Sequence, residues 1–235
     1  MPRDDRRGEG LTAAPRPADE AGIAAAIDAL TRGRLVLHPT ETVVSLSGNP
    51  YDDGAVASAR VLKGYSSPRP FVCLVPGVGE ARSLCRLWPL EAESLATAFW
   101  PGPLTLVLPA SADAPAAVVE AGRIAVRPAA DPVSTALLAT WGRALFSTSA
   151  NRRGELPLGD VSRALAALGS APGGDAIEVA LLPLRSVAPS KGIETAGLPS
   201  TIVDAAARPP RIVRAGAISA DRIREVVGEL GTGAA

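Results

Sequence analysis

Three hydroxyls and an amide lie close together in Leu145-Phe-Ser-Thr-Ser-Ala-Asn151. The apolar run Arg143-Ala-Leu-Phe146 predicts a buried strand, and Ser147, Thr148, Ser149, Asn151 and Gly154 predict its exit into a polar loop. In open α/β sheets, ligands sit at the carboxyl ends of strands. Side chains of these types can donate to phosphate or carboxylate oxygens, or they can simply satisfy the turning chain. Comparable polar groups end other apolar runs: Thr40 and Thr42, Lys63, Arg123 and Arg127, Ser200 and Thr201, and Arg214. Converging on one concave surface, they would hold a nucleotide triphosphate and a second anion by positioning and charge neutralisation.

Other chemistries find little support. There is no G-x-x-x-x-G-K-[ST] phosphate loop, and Gly77-Val-Gly79 lacks the third glycine of a dinucleotide fingerprint. No serine sits in a G-x-S-x-G elbow. His38 is the single histidine, and Cys73 and Cys85 lack a metal or redox spacing, so no metal site from protein side chains is expected.

The elements that must position these groups follow from the pattern. With 235 residues, 47% of them hydrophobic, and a net charge of zero, the chain suits one sizeable core and has no global pull toward nucleic acid or membrane. Residues 1–17, charged and rich in Pro and Gly, predict a disordered lead-in to a domain over 18–230. Without a secretory signal or a membrane-length apolar run, a cytoplasmic protein is expected. Helical spacing predicts helices over 18–31, 52–63, 78–87, 90–99, 132–141, 160–168 and 219–227. Strands are expected over 34–38, 71–75, 104–108, 123–127, 143–147, 176–181, 200–204 and 210–214, with a long loop over 182–199. The alternation predicts a single α/β domain.

Together the motifs resemble the YrdC family. His38-Pro-Thr-Glu-Thr-Val43 resembles its P-T-[DE]-T strand end, and Leu62-Lys63-Gly64 its L-K-x-R element. Trp100-Pro-Gly-Pro-Leu-Thr105, Arg123-Ile-Ala-Val-Arg127, Ser147-Thr-Ser-Ala-Asn151 with Gly154, Pro199-Ser-Thr-Ile-Val-Asp204 and Val213-Arg-Ala-Gly216 follow in the family's order. The resemblance implies a twisted, mixed open sheet flanked by helices around a concave cavity. It implies synthesis of threonylcarbamoyl-AMP and pyrophosphate from L-threonine, bicarbonate and ATP, with Mg2+ accompanying ATP. The product would go to a tRNA threonylcarbamoyl transferase complex, with weak RNA binding as a further implication and no membrane partner.

Residue by residue, the resemblance places Lys63, Ser149, Asn151 and Arg214 at ATP, and Thr40, Thr42, Arg127, Ser147 and Thr201 at threonine, with Lys63 and Arg127 catalytic. Alanine at Ser149 or Asn151 is expected to weaken ATP binding with little loss of stability. Four positions depart from the pattern: Tyr65 stands where the family has an arginine, Val44-Ser45 where it has an aromatic residue and glycine, and Arg153 where it has serine. Arg69, on the same loop as Tyr65, is the candidate replacement at ATP. These departures leave open a diverged paralogue that binds nucleotide or RNA without efficient synthesis.

Overall fold

A computed structural model describes residues 13–65, 70–184 and 197–231. Its strands are β1 (Ala14–Pro17), β2 (Leu35–His38), β3 (Ser45–Gly48), β4 (Val72–Val75), β5 (Leu104–Pro109), β6 (Arg123–Pro128), β7 (Leu145–Ser149), β8 (Ile177–Leu182), β9 (Thr201–Asp204) and β10 (Arg211–Arg214). Its helices are α1 (Glu20–Thr31), α2 (Asp53–Lys63), α3 (Val78–Ser83), α4 (Leu90–Phe99), α5 (Pro132–Trp141), α6 (Val161–Gly169) and α7 (Ala220–Val227). The strands form one mixed sheet in the order β1-β8-β2-β3-β7-β4-β6-β5-β9-β10.

Apart from the serines of β3 and β7, the central strands are largely apolar on both faces because both faces are covered. On one side, α1 and α5 cover Val36, Leu74, Leu145, Val179 and Leu181. On the other, α2 and α6 bring Val56, Leu62, Val161 and Leu168 against Leu35, Leu37, Leu46 and Phe146. Burying each such side chain stabilises the fold by roughly 1.5–3 kcal/mol. Phe71 stacks on Phe146 at 5.1 Å between ring centroids.

Helix ends follow local chemistry. Asp52 accepts from the Ala55 amide at 2.9 Å to start α2, and Gly64, at φ 67°, ends it directly after Lys63. That left-handed turn fixes where Lys63 leaves the helix. Asp131 accepts from the amides of Val133 and Ser134, with Pro132 opening α5.

Three expectations need correction. Residues 14–17 are not a structureless lead-in: β1 pairs in parallel with β8, an edge position that tolerates prolines lacking a donor; residues 1–12 lie outside the described residues. The helix expected over 78–87 ends at Ser83, and Cys85 instead bridges to Ala110. A strand absent from the sequence reading, β3, runs antiparallel between β2 and β7. Its Ser45 and Ser47 hid it, because a buried strand is expected to be apolar. Among the described residues no helix is long and apolar enough to cross a membrane.

Candidate active site

The middle of the sheet frames a cavity of about 280 Å³. Thr40, Thr42 and Val43 come from the turn after β2, and Ser45 from β3. Ser147, Thr148 and Ser149 come from β7, Arg127 from β6, and Ser200 and Arg214 from the β9–β10 region. Tyr65, Pro70 and Phe71 add an apolar wall. The arrangement is small, polar and cationic, with an aromatic side, which suits a ligand carrying anionic groups.

Arg127 and Glu41 form a buried ion pair, Nη1 to Oε1 at 2.5 Å, with side chains 5% and 3% exposed. Glu41 also accepts from the Ala130 amide at 3.1 Å, and Arg127 donates to Thr42 Oγ1 at 3.3 Å. Arg127 is therefore oriented before any ligand arrives. Arg214 donates to Ser200 through its carbonyl at 2.8 Å and its hydroxyl at 3.0 Å. Desolvation and then the neighbouring Arg127 charge lower the Arg214 pKa, so the two cations share one field.

Lys63 organises the loop after β7. Its Nζ donates to the Ser149 carbonyl at 2.6 Å, to Asn151 Oδ1 at 3.2 Å, to Ser149 Oγ at 3.4 Å and to the Asn151 carbonyl. Burial lowers the Lys63 pKa to about 8, against the raising influence of Glu155. The ammonium form still prevails near neutral pH, held by carbonyl oxygens. Asn151 Nδ2 donates to the carbonyls of Glu155 at 2.7 Å and Arg152 at 3.1 Å, closing the same loop.

The predicted residues thus fall into two groups. Thr40, Thr42, Arg127, Ser147, Ser149 and Arg214 line one cavity. Lys63, Asn151 and Thr201 are not among its lining residues. Thr201 is fully buried and clasps Ile218, donating to its carbonyl at 2.7 Å and accepting from its amide at 2.9 Å. The neighbouring Ser200 takes the cavity-facing position, one residue earlier on the alternating strand. Thr40 Oγ1 donates to the Val43 carbonyl at 2.6 Å and accepts from the Val43 amide, so it shapes the turn as well as the rim. Arg69 lies outside the described residues.

Sequence reasoning passed over Glu41 as a partner for Arg127; its place three residues past the end of β2, between Thr40 and Thr42, was the available signal. Ser45, which stands where the family has glycine, lies in extended β3: among described non-glycine residues only Ala121 has positive φ. Tyr65 packs against Phe71 at 6.2 Å on the cavity wall. Among the described residues no cluster of three or more His, Cys, Asp or Glu side chains is placed to hold a metal.

Comparison with known proteins gives concordant results. The Sua5/YciO/YrdC family model, described as telomere recombination, matches residues 28–216. A Mycobacterium tuberculosis relative, provisionally named threonylcarbamoyl-AMP synthase, is 35% identical over 88% of this chain and 89% of its own. The Pyrococcus abyssi threonylcarbamoyl-AMP synthase is 32% identical over 90% of this chain, which spans 59% of that longer protein. Among solved structures, P. abyssi Sua5 complexed with L-threonine superposes with a TM-score of 0.79 at 29% identity, covering 93% of this chain and 62% of that one. Escherichia coli YciO shares the fold, with a TM-score of 0.73 at 17% identity over 87% of this chain and 94% of its own.

Proposed function

The chain belongs to the Sua5/YciO/YrdC family, and we propose that it is a threonylcarbamoyl-AMP synthase. The observation that carries the reading is the cavity itself: Arg127, oriented by Glu41, and Arg214 face a set of hydroxyls across one small hollow. Such a site binds and aligns anions rather than attacking them.

In this reading, threonine places its carboxylate toward Arg127. Its amine adds carbon dioxide, supplied from bicarbonate, to give N-carboxythreonine and a proton. The new carboxylate oxygen attacks the α-phosphorus of ATP, and the α–β bridging bond breaks to release pyrophosphate. Arg214, Ser149 and the loop shaped by Lys63 and Asn151 hold the nucleotide. Lys63, with its ammonium committed to backbone carbonyls, is a positioning residue in this scheme. Among the described residues the cavity lining offers no carboxylate, so magnesium would be carried by phosphate oxygens and water; when bound, it offsets phosphate charge. The product suits transfer to the amino group of an adenosine in tRNA by a separate transferase.

Pyrophosphate release tests the proposal. Release that requires L-threonine, bicarbonate and ATP together supports the synthase. ATP or RNA binding with no pyrophosphate from the complete mixture would instead identify the diverged paralogue.

A further inference from the structure

The chain's single histidine does not line the cavity, yet an unbroken file of hydroxyls joins it to the floor. His38 Nδ1 lies 3.0 Å from the Pro39 carbonyl and 3.0 Å from Ser134 Oγ, while Ser134 Oγ donates to the same carbonyl at 2.6 Å. His38 Nε2 lies 2.9 Å from Ser47 Oγ, Ser47 2.9 Å from Ser45 Oγ, and Ser45 2.6 Å from Ser147 Oγ. His38, Ser134 and Ser47 are fully buried; Ser45 and Ser147 reach the cavity. Strand register builds this line: His38 pairs with Ser45, Ser47 pairs with Ser147, and alternation turns Ser45 and Ser47 to one face.

The protons in this file have one consistent arrangement. A carbonyl oxygen only accepts, so the contacts at Pro39 require the Ser134 hydroxyl and His38 Nδ1–H both to donate. An unprotonated Nδ1 would face a lone pair at 3.0 Å. The neutral ring then carries its hydrogen on Nδ1 and accepts at Nε2, an assignment made from the network. Ser47 must donate to Nε2, Ser45 to Ser47, and Ser147 to Ser45, since each hydroxyl has one hydrogen. Ser147 is left showing the cavity only lone pairs. It cannot donate to a carboxylate or phosphate there, contrary to the donor role open to it from sequence. Burial holds the His38 pKa at about 4, so the file orients hydrogen bonds and does not store a proton near neutral pH.

We propose that the His38–Ser47–Ser45 relay makes Ser147 an acceptor-only group that selects the amino group of the substrate, in its neutral form. This rests on the synthase reading above. Among the described residues the cavity lining contains two arginines and no carboxylate, which suits an amine at an oxygen acceptor better than an ammonium ion. A neutral amine is also the form whose lone pair can take up carbon dioxide. His38, Ser47 and Ser45 are positioning residues acting through Ser147.

Two measurements test the relay. Nitrogen-15 NMR of histidine-labelled protein reads the tautomer of the one imidazole directly, with no variant needed. Protonated Nδ1 and hydrogen-bonded, unprotonated Nε2 are expected; protonation on Nε2 overturns the proposal. Calorimetry then compares L-threonine with 3-hydroxybutyrate, which lacks the amine. In Ser47→Ala the preference for L-threonine should fall about ten-fold, as expected for a misdirected buried hydrogen bond, with ATP affinity unchanged, and Ser47→Thr should restore it. An unchanged preference in a threonine-binding protein overturns the relay alone. Failure of the unaltered protein to bind L-threonine overturns the synthase reading, and the amine assignment falls with it.

Discussion

Glu41 Oε1 stands 2.5 Å from Arg127 Nη1, and the two side chains are almost wholly buried. The pair links the turn after β2 to β6 across the cavity wall, and the Ala130 amide gives the carboxylate a further donor. Arg127 Nε is buried with no hydrogen-bond partner among the described residues, so the guanidinium depends heavily on Glu41. Removing one member of a buried pair strands the other charge. Glu41→Ala should therefore cost about 3–5 kcal/mol of stability, measured by urea denaturation, and should weaken L-threonine binding. A loss below about 1 kcal/mol, the range of exposed pairs, would show that the pair is open to water.

Lys63 and Asn151 act on the nucleotide through the loop they hold. Lys63→Met keeps the chain length but removes every hydrogen bond from Nζ to the Ser149–Asn151 segment. ATP affinity should drop at least about ten-fold, one misplaced charge-assisted contact being worth roughly 1.5–3 kcal/mol. Equilibrium binding of ATP checks this; undiminished affinity would sink the loop-shaping role.

Ser149 and Asn151, equivalent by sequence, should separate by structure. Ser149→Ala should weaken ATP binding with a melting temperature near that of the parent. Asn151→Ala abandons the Lys63 ammonium and the Glu155 and Arg152 carbonyls. It should lose about 1–3 kcal/mol of stability as well, correcting the expectation that either change would be structurally mild. Parallel thermal melts and ATP titrations of the two variants decide it.

His38 gives stability a pH dependence of defined sign. Desolvation lowers its pKa from 6.5 to about 4 in the fold, although its bond to the Pro39 carbonyl and the Glu41 charge pull the other way. Between those values the unfolded chain binds the extra proton, so stability falls as pH drops from about 6.5 toward 4. The full loss from this group is on the order of 3 kcal/mol. Urea denaturation across this range should show a shallower slope in His38→Gln than in the parent. Parallel profiles would refute the buried neutral ring.

Much of the fold was legible because its signals are local. Asp52 and Gly64 bracket α2, Asp131-Pro132 opens α5, and the apolar runs at 35–38, 104–108 and 145–147 become central strands, each through chemistry reaching only a few residues. β3 was not legible, since a strand with serines at 45 and 47 is stable only where strands on both sides satisfy its backbone and a hydroxyl file satisfies its side chains. The helix after Gly77 stopped early for a similar reason: Cys85 is captured by Ala110, far along the chain.

The same division runs through the site. Order and spacing of short motifs along one chain determined the family resemblance and most of the cavity's residue types, because strand ends, turns and caps announce themselves within a few positions. Only the tertiary structure decided that Glu41 holds Arg127, that Ser200 rather than Thr201 faces the cavity, that Lys63 spends its ammonium on the β7 loop, and that Ser147 meets the Ser45 hydroxyl at 2.6 Å. Each of those outcomes depends on which partner lies within about 3 Å after folding, and such proximity joins residues dozens of positions apart that no local pattern connects.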